Sequence, residues 1–173
     1  TIDECRDLVA AAGLAFQDVF LKASYYAPTS SPSEFLAAIA ARPREEQWSL
    51  MQRVNTSNAC HFFLACRPDR PRESYDINFT SGDPLRFVPS WRKGCRLDGR
   101  IALRHDWRRE LDPLQAALME RVDGHRTIAL ILAGVVESGA FARSDVADVA
   151  AAAVDICTSL WQEDFLAMGL TGR

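Results

Sequence analysis

Six consecutive residues, Arg67-Pro68-Asp69-Arg70-Pro71-Arg72, hold two prolines, four charges and no aliphatic or aromatic side chain. Such a stretch has nothing to bury, and its prolines donate no backbone hydrogen bond. It predicts a linker that divides the chain into a segment 1–68 and a segment 69–173. These 173 residues accommodate two small domains sharing one chain. With 48% apolar residues and a net charge of −3, the composition excludes a disordered chain. The longest apolar run, Ile128 to Val136, is about half of the ~18 residues a membrane span needs. No membrane association is expected.

Charge is unevenly distributed. Residues 86–126 carry ten basic side chains against six acids, while the remainder is acidic. A local basic zone on an acidic protein favours an acidic partner. The five cysteines, Cys5, Cys60, Cys66, Cys95 and Cys157, are odd in number and scattered, which argues against a disulfide framework. Reduced thiols and a cytoplasmic location are expected. The polar, acidic start Thr1-Ile2-Asp3-Glu4 is not a signal peptide.

In the first segment, Thr1 and Glu4 form a capping box for a helix that Gly13 stops. Leu14–Leu21 reads as a buried strand. Ser31-Pro32-Ser33-Glu34 is a second capping box opening a helix through Ala41. Arg44 to about Val54 is a helix with Trp48 and Met51 inward, and His61–Ala65 is a short strand.

After the linker, Tyr75–Phe79 reads as a short strand. Gly94–Leu97 and Ile101–His105 form a hairpin around Asp98-Gly99. A register pairing Leu97 with Ile101 and Cys95 with Leu103 keeps the apolar residues on one face. Asp112-Pro113-Leu114-Gln115 starts a helix, Thr127 caps Ile128–Val136, and Ser144 caps a long helix to about Met168. The predicted fold class is α+β: a helix–strand segment of α/β type, then a small antiparallel sheet with a three-helix, winged-helix-like domain.

Catalytic chemistry is scarce. There is no Gly-x-Gly-x-x-Gly, phosphate loop, Gly-x-Ser-x-Gly or His-Glu-x-x-His. Asp123-Gly124-His125-Arg126 reads as an interhelical turn, and His105-Asp106 as the end of a strand. Cys60 and Cys66 share a strand face that His61 does not, so zinc is disfavoured and no metal is expected. Ile128–Val136, the helix that would enter a DNA groove, offers no Arg, Lys, Asn or Gln to base edges and reads as buried all round. Nucleic acid is therefore a disfavoured partner.

Two stretches resemble known families. Ala11-Ala12-Gly13-Leu14, the strand Phe16–Phe20 and the run His61–Pro68 resemble the closing part of a class I S-adenosylmethionine-dependent methyltransferase, in which the last two strands pair antiparallel. The resemblance implies that the helices between 32 and 54 are an insertion. It also implies an acceptor pocket lined by Tyr25, Tyr26, Trp48 and Phe62. The glycine-rich loop and acidic residue that hold the cofactor in that fold have no counterpart here, so no cofactor is expected in this chain, and S-adenosylmethionine only in a larger enzyme. Arg86–Leu170, with its hairpin, Leu111–Gln115, Val122–Ile128 and Trp161–Leu170, is similar to the PqqD-like winged-helix family. That similarity implies capture of a peptide as an added strand at the sheet edge Ile101–His105 (Ile101, Leu103, Arg104, His105), with Val149 and Ala153 behind it and Arg100 and Arg104 attracting acidic groups.

The expected function is an accessory peptide- or protein-binding module of a methyltransferase-like protein, without a catalytic site of its own. The alternatives are part of a small-molecule methyltransferase, a DNA-binding regulator, and a homodimerisation domain anchored by Trp107, Trp161 and Phe165.

Overall fold

The computed structural model describes residues 1–28, 33–56, 58–80, 82–139 and 146–170. The chain is α+β and falls into two compact units, Thr1–Asp76 and Ile77–Arg173. The boundary lies beyond the proline-rich segment. Arg72–Ser74 forms a 3-10 turn, and Asp76 pairs with Arg44 at 2.6 Å and Arg72 at 3.6 Å, which ties that segment into the first unit.

The first unit runs α1 (Ile2–Ala11), β1 (Ala15–Val19), α2 (Glu34–Ala40), α3 (Arg44–Val54) and β2 (Phe63–Cys66). Thr1 and Glu4 make the expected capping box. Ser33 caps α2 through the Leu36 N–H; Ser31 and Pro32 lie outside the described residues. β1 and β2 pair antiparallel with a bulge between Phe16 and Asp18. Phe16 stacks on Phe63 at 5.1 Å and meets Trp48 at 5.5 Å. Ala27, Ile39 and Met51 close a small apolar cluster beside α2 and α3.

The second unit runs β3 (Phe87–Trp91), β4 (Cys95–Asp98), β5 (Ile101–Arg104), β6 (Trp107–Glu110), α4 (Pro113–Met119), α5 (Ile128–Glu137), α6 (Val146–Gln162) and β7 (Leu166–Leu170). Its core gathers Ile128, Ile131, Val135, Ile156, Leu160 and Phe165 from the helices and the turn after them, with Ala102 from the sheet. Asp112 and Gln115 form the expected box on α4, and Thr127 caps α5. Each such cap is worth about 1 kcal/mol.

Several expectations are corrected. Residues 75–79 form no strand; Ile77 and Phe79 pack on the core instead. The third helix stops at Gln162 rather than Met168, because Asp164 turns the backbone left-handed (φ 64) and sends Leu166–Leu170 back as a strand against β3. Its expected cap, Ser144, lies outside the described residues. The hairpin register is Leu97↔Ala102 and Cys95↔Arg104, around a two-residue Gly99-Arg100 turn. Gly99 has φ 56, the left-handed conformation such turns need at their first position. Trp161 and Phe165 are buried in this unit, so neither anchors a dimer. α5 is not buried all round, since Leu130 is 57% and Val136 40% exposed. Among the described residues, no helix is long and apolar enough to cross a membrane.

Candidate functional site

β4, β5 and β6 form one antiparallel sheet in that order. β5 is therefore the central strand. Ile101, Leu103 and Arg104 already have backbone neighbours on both sides, and the expected strand-accepting border at Ile101–His105 is occupied by β6. His105 sits in the His105-Asp106 turn with φ 49. Val149 and Ala153 lie on the buried side of α6, Ala153 inside the core.

The open border is one strand further on. Arg104↔Trp107 closes a two-residue hairpin, and Ala102↔Arg109 and Ile101↔Glu110 follow. A closing pair exchanges both backbone bonds, so Trp107 and Arg109 bond inward to β5, while Arg108 and Glu110 direct their N–H and C=O groups outward. Leu111 N–H donating to the Arg100 carbonyl at 2.9 Å continues the same phase. Among the described residues, no backbone group meets those of Arg108 and Glu110 on the outer side. The opposite border, β4, is less open, because the Cys95 N–H already donates to the Arg92 carbonyl at 2.9 Å.

Cross-strand pairs share a face. The inner face carries Cys95, Leu97, Ala102, Arg104, Trp107 and Arg109, and the outer face Arg96, Asp98, Ile101, Leu103, Arg108 and Glu110. The inner arginines are neutralised where they enter the protein. Arg109 reaches the Ser159 hydroxyl and the Glu163 carboxylate, the latter at 2.6 Å, which lays the C-terminal turn of α6 under β6. Arg104 lies 3.5 Å from buried Asp164, which also receives Arg92 at 2.5 Å. The Arg104 guanidinium is 5.2 Å from the Trp107 ring centre and 5.6 Å from that of Phe165. Arg100 is occupied too, donating twice to the Leu111 carbonyl at 3.0 and 3.1 Å. Arg100 and Arg104 are thus engaged within the unit, and Arg108 is the exposed cation on the open border.

The hydropathy pattern hides β6, since Trp107-Arg108-Arg109-Glu110 has three charges in four residues. The usable signal was the two-residue turn His105-Asp106, with histidine and aspartate among the residues that tolerate a left-handed backbone.

In the first unit, Tyr25, Tyr26 and Trp48 are buried together with the core, and the Tyr26 and Trp48 rings meet edge to face at 6.4 Å. Phe62 does not join them. Along the strand Phe63 turns inward to Phe16, so its neighbour Phe62 turns out and is 55% exposed. Tyr25 Oη lies 2.5 Å from His61 Nδ1, and burial pushes its phenol upward. The carboxyl of Asp18, salt-bridged to Lys22 at 3.2 Å, is also pushed upward by burial.

After β1 the chain enters a 3-10 turn at Lys22–Ser24, where the Lys22 carbonyl takes the Tyr25 and Tyr26 N–H groups. The sequence has no glycine between Gly13 and Gly82. Among the described residues, no group of three or more His, Cys, Asp or Glu is placed to hold a metal ion. The chain matches no protein-family model.

Proposed function

We propose that the second unit is a peptide- or protein-binding module, cytoplasmic and without a catalytic role, that accepts a guest segment as an added strand along the outer border of β6. The observation that carries this reading is the outward-directed backbone of Arg108 and Glu110 on an end strand. Main-chain bonds supply sequence-tolerant affinity, and neighbouring side chains select the guest. Trp107, 66% exposed, provides an aromatic surface at one end of the border, and Arg108 favours a guest with acidic residues. The order of three antiparallel strands followed by three helices supports the PqqD-like resemblance. The antiparallel pairing of β1 with β2 supports reading the first unit as the closing part of a methyltransferase, so the module would present a peptide or protein to such an enzyme.

Binding is tested by titrating acidic leader-type peptides into the isotope-labelled chain and following backbone amides. Micromolar affinity with shifts clustered at Trp107–Glu110 is expected. Shifts confined to other strands or to the first unit would reject the reading. The DNA-binding alternative has little support, because the exposed side of α5 offers no hydrogen-bond donor to base edges along Ala129–Val136.

A further inference from the structure

The outward backbone groups of β6 belong to Arg108 and Glu110, whose side chains are exposed, share the outer face of the sheet and carry opposite charge. The ion pairs described in this unit join Arg92 and Arg104 to Asp164, Arg109 to Glu163 and Arg126 to Asp123. Arg108 and Glu110 take part in none of them. The border therefore sets a cation and an anion, each uncompensated, beside a row of N–H and C=O groups that can pair with another strand.

Charge on an end strand guards it against strange partners, but the order of charge here suits the strand itself. Lay two copies of β6 antiparallel about a two-fold axis through Arg109. Arg108 of one copy then falls opposite the partner's Glu110, and Glu110 opposite the partner's Arg108. Both residues direct their backbone groups outward, so both pairs are of the hydrogen-bonded kind. Opposite charges directly across a ladder stabilise it, and like charges weaken it. The neighbouring registers that keep the same backbone bonds set Arg108 against the partner's Arg108, or Glu110 against the partner's Glu110. One register alone is favoured, and it is an isologous contact. Its single like-charge pair, Arg109 against the partner's Arg109, is already offset, because each guanidinium lies 2.6 Å from Glu163 of its own chain.

We propose that, with no guest bound, a second copy of the chain occupies this border, β6 pairing antiparallel with β6 so that one sheet runs through both copies. The inference rests on the reading of β6 as a strand-accepting border and adds its regulation. A guest must displace the second copy, so its apparent affinity falls as the chain is concentrated. Two strands this short bury far less than the roughly 800 Å² per partner of a standard interface, which makes the dimer a weak, displaceable one.

Sedimentation velocity of the 173-residue chain from low to high micromolar concentration tests it. The wild-type mass is expected to climb from 19.2 kDa toward twice that value. Arg108→Glu and Glu110→Arg each set like charges at both pairs and weaken the dimer about tenfold. Mixed one to one, the two variants again oppose acid to base at both positions, and the dimer returns, which a fold defect would not allow. A wild type that stays monomeric throughout, variants that dimerise as well as the wild type, or a mixture no tighter than its components overturns the proposal. The peptide titration separates the two readings. A monomeric chain whose Trp107–Glu110 amides shift with peptide overturns the dimer alone; a chain that dimerises through β6 yet takes no peptide overturns the guest reading and leaves the dimer standing.

Discussion

Arg109 on β6 and Glu163 at the end of α6 lie 2.6 Å apart and fasten the last strand of the three-stranded sheet to the helix beneath it. With its inner side held, β6 offers the outer one. Arg108→Pro tests that division. The Arg108 N–H points away from β5, so proline there removes no ladder bond but blocks a guest strand. Peptide binding is expected to fall below detection in the amide titration, with the fold intact by circular dichroism.

Asp164 is the counter-charge for both Arg92 and Arg104. Asp164→Asn keeps a residue that tolerates the left-handed backbone and removes only the charge. Two part-buried guanidinium groups then lose their compensation, at a cost of about 3 kcal/mol. Urea denaturation should show a lower midpoint with an unchanged slope.

The exposed carboxylate of Asp123 accepts the backbone N–H groups of Arg126 and His125, which hold its pKa well below the usual carboxylate range. A lowered folded value means that the unfolded chain takes up the proton first. The contribution is present above the ordinary aspartate value and lost as pH falls through the folded one. Thermal unfolding of Asp123→Asn, followed from neutral into acid pH, should show a shallower acid limb than the wild type.

Burial pushes the Cys157 thiol up to about 12, whereas Cys60 is exposed. The thiolate is the reactive form. A disulfide reagent at neutral pH should label Cys60 in the native protein and reach Cys157 only after denaturation, as peptide mapping would report.

The helix starts were legible because capping is local: Thr1 with Glu4, Asp112 with Gln115, and Thr127 all act within one turn. The hairpin register was not. Choosing the face with Ile101 and Leu103 as inner follows hydropathy, but the true inner face pairs Ala102 with Arg104 and Arg109, whose charges are offset by Asp164 and Glu163 some sixty and fifty-four residues away. Distant counter-ions invert the pattern that a window of sequence displays. The same blindness hid β6, and moved the expected border one strand inward. β3 and β7 escaped for another reason. Pro89 lowers the strand signal of Phe87–Trp91, yet its carbonyl accepts from Gly124 on the side away from β7, so the missing N–H costs the ladder nothing.

Trp107 rests on the Arg104 guanidinium at the start of the border, open to solvent, while Trp48 and Trp161 are enclosed. The molecule therefore carries its own optical gauge: a guest laid along β6 dries that one indole and shifts its emission toward the blue, against a steady background from the enclosed pair and half-buried Trp91 on β3.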